Sequence, residues 1–247
     1  MANGPNGIRR VVHRARRAVL ERTARQGTEP VDLDSLISPL RYDVVVRARL
    51  FDLLAQEPDL GGDALVRRAA GTAYADWFVH VECARFFPEL LQDKAVRDER
   101  FAARVHGAAR LLRSFEERGF DAASPVTLLT APAGTASESG APALGGLHIG
   151  DGCHRVSLLL RAGATLEPWM YKVRPSLGPL VDNTAVLLRH GALDEQEYVA
   201  FLAARFPVGG ARTVQEALAT VEAVDAGAAP TLRAVTDAQR PGGPGRA

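Results

Sequence analysis

Cysteine is scarce in this chain of 247 residues: only Cys83 and Cys153 occur, with no Cys-x-x-Cys pair. That excludes a disulfide scaffold and a zinc-ribbon site. No apolar run approaches the roughly 18 residues of a membrane span, and the basic N-terminal segment lacks the apolar core of a secretory signal. The formal net charge is only +1, which excludes nucleic-acid binding over the whole surface. No internal repeat and no helix-turn-helix segment is visible. These absences set the expectation of a cytoplasmic protein.

At 47% hydrophobic and 24% charged residues, the composition supports a sizeable core. Charge is concentrated near the start. Residues 8–25 carry Arg9, Arg10, Arg14, Arg16, Arg17, Arg22 and Arg25 against Glu21. The spacing of Ile8, Val12, Ala15 and Val19 predicts a basic helix over 8–26. It is either a solvated arm packing one apolar stripe or a contact for nucleic acid or an anionic, peripheral membrane surface.

The remaining pattern predicts a mixed α+β chain. The expected divisions are an arm over 1–30, a central domain over 31–175 with a helical insertion at about 58–119, a helical extension over 176–228 and a disordered tail over 229–247. Residues 31–37 read as a short strand or an extended entry, and strands are expected at 125–130, 147–150 and 168–174. Helices are expected after the Ser38-Pro39 start, over 63–87 with a break near Gly71, over 93–118 capped by Gly119, and near 194–205 and 213–225. The Ala/Gly/Ser/Pro-rich stretch 131–146 reads as an exposed, mobile loop.

The most informative segment is 145–163, GGLHIGDGCHRVSLLLRAG. A strand ending near Ile149 meets a Gly-Asp-Gly turn and passes at once into an amphipathic helix. Such a junction offers free backbone N–H groups and the positive end of a helix dipole to an anion. Gly150 and Gly152 suit a tight turn with close ligand approach. Arg155, unfavourable in a first helical turn by itself, is explained by a bound phosphate or by a salt bridge to Asp151 or Asp43. His154 either donates to phosphate as imidazolium or orients a neighbour as neutral imidazole. Asp151 either caps the helix or holds Mg²⁺ and accepts the proton of an attacking hydroxyl. Cys153 at the helix start is either a reactive thiol or a small residue supporting the phosphate site. Cys83 belongs to a core helix.

Asp151-Gly152-Cys153-His154-Arg155 resembles the ParB/sulfiredoxin superfamily, combining a DGxxR-type turn with a GCHR segment. VDLDSLISPL at 31–40, SPVTLLT at 124–130 and the stretch after the motif helix resemble the elements around it. The resemblance implies a small mixed sheet with flanking helices and a nucleotide, ATP or CTP with Mg²⁺, whose phosphates sit at the turn. It also implies a phosphate-binding arginine near Arg41, with Arg47 the second candidate and Asp43 facing the same cleft; by pattern alone all three suit the surface of one helix equally well. Members of the superfamily phosphorylate free serine, bind CTP and DNA, or repair over-oxidised peroxiredoxin. The implied function here is an ATP-dependent phosphotransferase acting on a small hydroxyl-bearing acceptor. The alternatives are a nucleotide-responsive module binding DNA or a partner, and sulfiredoxin-like reduction through Cys153. Further along, Asp182 or Asn183 reads as a helix cap, and His148 either faces the cleft or packs beneath it.

Overall fold

The computed structural model describes residues 23–37, 40–138, 145–189, 194–203, 206–230 and 232–233. The basic segment 8–22, the Ser38-Pro39 helix start and the tail from 234 lie outside them. The fold is mixed α+β. Its four strands are β1 (Arg25–Gln26), β2 (Val126–Ala131), β3 (Gly146–Asp151) and β4 (Tyr171–Pro175), in the spatial order β1-β4-β2-β3. β2 runs parallel to β4 and antiparallel to β3, and β1 is antiparallel to β4. Alternation along β2 buries Val126 and Leu128 on one face.

The helices are α1 (Leu33–Leu36), α2 (Asp43–Gln56), α3 (Gly62–Ala70), α4 (Ala73–Trp77), α5 (Ala84–Phe86), α6 (Lys94–Arg118), α7 (Cys153–Arg161), α8 (Asn183–Arg189), α9 (Glu195–Ala203) and α10 (Val214–Val224). A π-helical segment, Phe78–Cys83, joins α4 to α5. None of the helices among the described residues is long and apolar enough to cross a membrane.

Two cores meet along α2 and α7. On the sheet side, Val156 and Leu159 of α7 pack with Val44, Val126, Leu128, Ile149 and Tyr171. On the other side, Leu158 joins Leu50 and Phe51 of α2, Trp77, Phe101 and Val105 of α6, and residues of the last three helices. Ser157, fully buried, places its hydroxyl 2.9 Å from the Val44 carbonyl and so ties α7 to α2. The apolar spacing Phe101, Val105, Ala108, Leu112 explains the buried stripe of α6. Asp93 caps that helix by accepting from the Val96 N–H. Gly119, at φ 73°, ends it where expected.

The structure corrects three boundaries. Residues 31–37 are not a strand: Val31 makes a single bridge to Leu166, and Asp32 then caps α1. The Leu33/Leu36 spacing outweighs the apparent alternation. Arg25 and Gln26 form an edge strand rather than the end of a helix, with the Gln26 side chain bonded to the Tyr171 carbonyl at 2.9 Å. Residues 168–170 form a 3₁₀ turn before β4. The described part of the 131–146 loop is largely exposed, as expected, and its Glu138 pairs with Arg85 at 2.6 Å and bonds the Leu180 carbonyl through its N–H. Residues 139–144 lie outside the described residues.

The expected disordered tail also begins too early, because Ala229 and Leu232 are buried, Leu232 against the helical core. Leu232→Ala is therefore expected to lower unfolding free energy by about 2–5 kcal/mol. Urea titration checks this; a change near zero contradicts the placement.

Candidate functional site

The junction of β3 and α7 takes its shape from two glycines. Gly150 is the extra residue of a β-bulge, because Leu128 pairs with Ile149 while Thr127 pairs with Asp151. A Cβ there would lie 2.8 Å from the Leu129 side chain. Gly152 is buried, with φ 90° and ψ 22°, the left-handed region. A Cβ there would also crowd Val126 at 3.1 Å. Only glycine fits both demands. The chain then enters α7 with no side-chain cap on its first turn, so no side chain at the cap position satisfies its leading N–H groups.

Beneath this turn lies a buried ionic cluster. Arg41 grips the Asp43 carboxylate through two nitrogens, at 2.9 and 3.1 Å, and donates to the Ile149 carbonyl. Its remaining contact is Cys153 Sγ, 2.6 Å away. Arg47, one turn along α2, donates to the same carboxylate. It stacks over the Trp77 ring at 4.0 Å, and its Nε is buried without a partner. Burial alone would raise the Asp43 carboxyl, but the two guanidinium groups overcome that and hold it well below the usual carboxylate range. Two cations therefore share one anion in the interior, leaving one positive charge in excess under the start of α7.

Cys153 is half-buried as the first residue of α7, whereas Cys83 is fully buried, with its thiol pushed up by burial. The His154 ring is enclosed edge-on by Phe51 and Trp77, and its Nε2 lies 3.5 Å from the Tyr74 hydroxyl. Burial first, then the cations Arg47 and Arg104, push its pKa down to about 3. Of the two readings of His154, these surroundings favour the neutral imidazole. Arg155 forms no salt bridge with Asp151 or Asp43. Its guanidinium folds past Gly152 to donate to the Pro125 carbonyl at 3.1 Å, and it remains half-buried at the mouth of the turn. Asp151 is exposed at the end of β3, where its carboxylate accepts the Gly152 N–H at 2.7 Å.

The expected residues are brought together at one junction, in two layers. Asp151, Gly152 and Arg155 lie at the turn. Arg41, Asp43 and Arg47 lie below it, and the Arg41 guanidinium is committed to protein partners. His148 packs beneath, buried. Asn183 and Thr184 brace the segment that leads into α2. Thr184 accepts the Tyr42 N–H at 2.8 Å, and the N–H groups of Asn183 and Thr184 reach the Leu40 carbonyl, which fixes the segment bearing Arg41. Tyr74 and the face of α6 bearing Arg104 were not anticipated at the site. The Arg100/Arg104 spacing on a helix was the available signal.

Among the described residues no cluster of three metal-ligating side chains forms. Asp151 alone suits Mg²⁺ carried in on phosphates, which needs one or two protein carboxylates, rather than a metal caged by protein. Comparison with protein-family models, curated proteins and solved structures returns no match.

Two outcomes follow from the cluster. Asp43→Asn leaves Arg41 and Arg47 without their shared counter-charge and is expected to cost about 3–5 kcal/mol in a denaturant titration. His154 binds a proton in the unfolded chain below its ordinary value of 6.5 but in the folded protein only near 3. Its contribution is thus complete above pH 6.5 and is lost as pH falls toward 3. His154→Gln should flatten the loss of stability between pH 6 and 4, read as denaturation midpoints; an unchanged slope contradicts the buried neutral imidazole.

Proposed function

We propose that the β3–α7 turn binds the phosphates of a nucleotide, and that the protein is a cytoplasmic ATP-dependent phosphotransferase of ParB/sulfiredoxin-like fold acting on a small hydroxyl-bearing metabolite. The observation that carries this reading is the pairing of an uncapped helix start with two buried arginines sharing one carboxylate. Both favour an anion at the same place, one through oriented N–H groups and the other through uncompensated charge. Arg155 stands at the mouth, placed to clamp phosphate oxygens. Mg²⁺, held by Asp151 and the phosphates, would neutralise charge on the transferring group. Asp151 is otherwise placed to take the acceptor's proton as its oxygen bonds to the γ-phosphorus and the bond to ADP breaks. The remaining catalysis is positioning and electrostatic stabilisation.

A second reading, thiol chemistry of the sulfiredoxin kind, is favoured by the 2.6 Å contact of Cys153 Sγ with Arg41. The module that binds DNA or a partner depends on residues 8–25, most of which lie outside the described residues.

Thermal unfolding with ATP, ADP or CTP, each with and without Mg²⁺, separates these readings. The proposal expects stabilisation by ATP with Mg²⁺ that Arg155→Ala removes. It also expects phosphoryl transfer that falls about 100-fold or more in Asp151→Asn and persists in Cys153→Ser. A preference for CTP without transfer favours the binding module. Loss of activity in Cys153→Ser alone favours the thiol enzyme, and no shift with any nucleotide overturns the phosphate site.

A further inference from the structure

On the far side of His154 a second feature opens. α6 is 25 residues long, and its stripe Arg100, Arg104, Gly107, Leu111 faces α7 across a cleft of about 460 Å³. Ala103, Gly107 and Ala108 keep the helix surface low, Arg110 flanks it, and His154 borders the cleft on the α7 side. Arg104 is already neutralised by the buried Glu82, bonded through Nε at 2.6 Å. Arg100 has only the face of Phe87 beneath it, at 4.9 Å. Neither Arg100 nor Arg110 has a carboxylate partner among the described residues. The cleft therefore presents two uncompensated guanidinium groups over a floor of small residues. Its neutral imidazole wall is shared with the phosphate turn.

We infer that this cleft is the acceptor subsite and that the acceptor is a small anionic molecule, its carboxylate or phosphate group held by Arg100 and Arg110. Two planar, permanently charged forks suit either oxyanion. A charge anchored there would leave the acceptor's hydroxyl end free to extend along the His154 edge of the cleft. No lysine lines the cleft, and the planar arginine forks lose less freedom per hydrogen bond formed. The inference rests on the phosphotransferase reading for the word acceptor, but the anion site stands on its own geometry.

The test uses the full-length protein with L-malate as the carboxylate probe, glycerol 3-phosphate as the phosphate probe and glycerol as the uncharged control. Each is titrated calorimetrically with and without ATP and Mg²⁺. Wild type should bind at least one charged probe and not glycerol, and the probe that binds identifies the anion. The double variant R100A/R110A alters exposed side chains only. It should weaken that binding about tenfold or more while nucleotide binding persists. Arg155→Ala should do the reverse, losing nucleotide and keeping the probe. Unchanged probe affinity in R100A/R110A, or no probe binding in wild type, overturns the inference. Loss of nucleotide binding in R100A/R110A also overturns it, since the cleft would then belong to the nucleotide. Should wild type bind the probe through Arg100 and Arg110 yet bind no nucleotide, the anion site is upheld and the phosphotransferase reading fails.

Discussion

Asp43 holds two arginines that the interior would otherwise not accept. A guanidinium group leaves water at a cost of several kcal/mol unless a counter-charge and hydrogen bonds replace the lost hydration. Arg41 and Arg47 both meet that need through one carboxylate. Around this pairing the two halves of the protein are joined. Arg41 reaches the Ile149 carbonyl of β3 and the first residue of α7, while Arg47 lies against Trp77 in the helical core. The segment carrying Arg41 is in turn clamped by Thr184. Sheet, α2, α7 and the C-terminal helices are thus fastened at the point where the chain presents its glycine turn.

The turn itself was legible in the sequence, because glycines in DGCHR and the amphipathic pattern after it report local backbone geometry. β2, β3, α6 and its Gly119 terminus were legible for the same reason. Asp32 was harder. As a cap it nucleates a four-residue helix, too short for periodicity to reveal, in a stretch that alternates like a strand. β1 was hidden because a two-residue edge strand is selected by its partner β4 and not by its own composition. The burial of Leu232 depends on a surface assembled from distant helices.

Within the site, chemistry was more legible than arrangement. Arg41, Asp43, Arg47, Cys153, His154 and Arg155 were all identifiable as candidates. What single-sequence reading lacked was depth. It could not show that Arg41 lies under the turn or that Arg155 turns toward the Pro125 carbonyl. The aromatic groups around His154 are Phe51, Tyr74 and Trp77, whose spacing reads as ordinary core. In the proposed function the buried layer supplies field, the exposed layer supplies contacts, and His154 links the phosphate turn to the border of the arginine-lined cleft.

The central claim is that the excess buried charge is completed by a phosphate at the start of α7. A crystal structure of the protein with a non-hydrolysable ATP analogue and Mg²⁺ tests it most directly. The account predicts phosphate oxygens on the backbone N–H groups of residues 153–155, with the Arg155 guanidinium against them and Asp43 still shared by Arg41 and Arg47. An analogue bound elsewhere, with the turn left empty at saturating concentration, would contradict it.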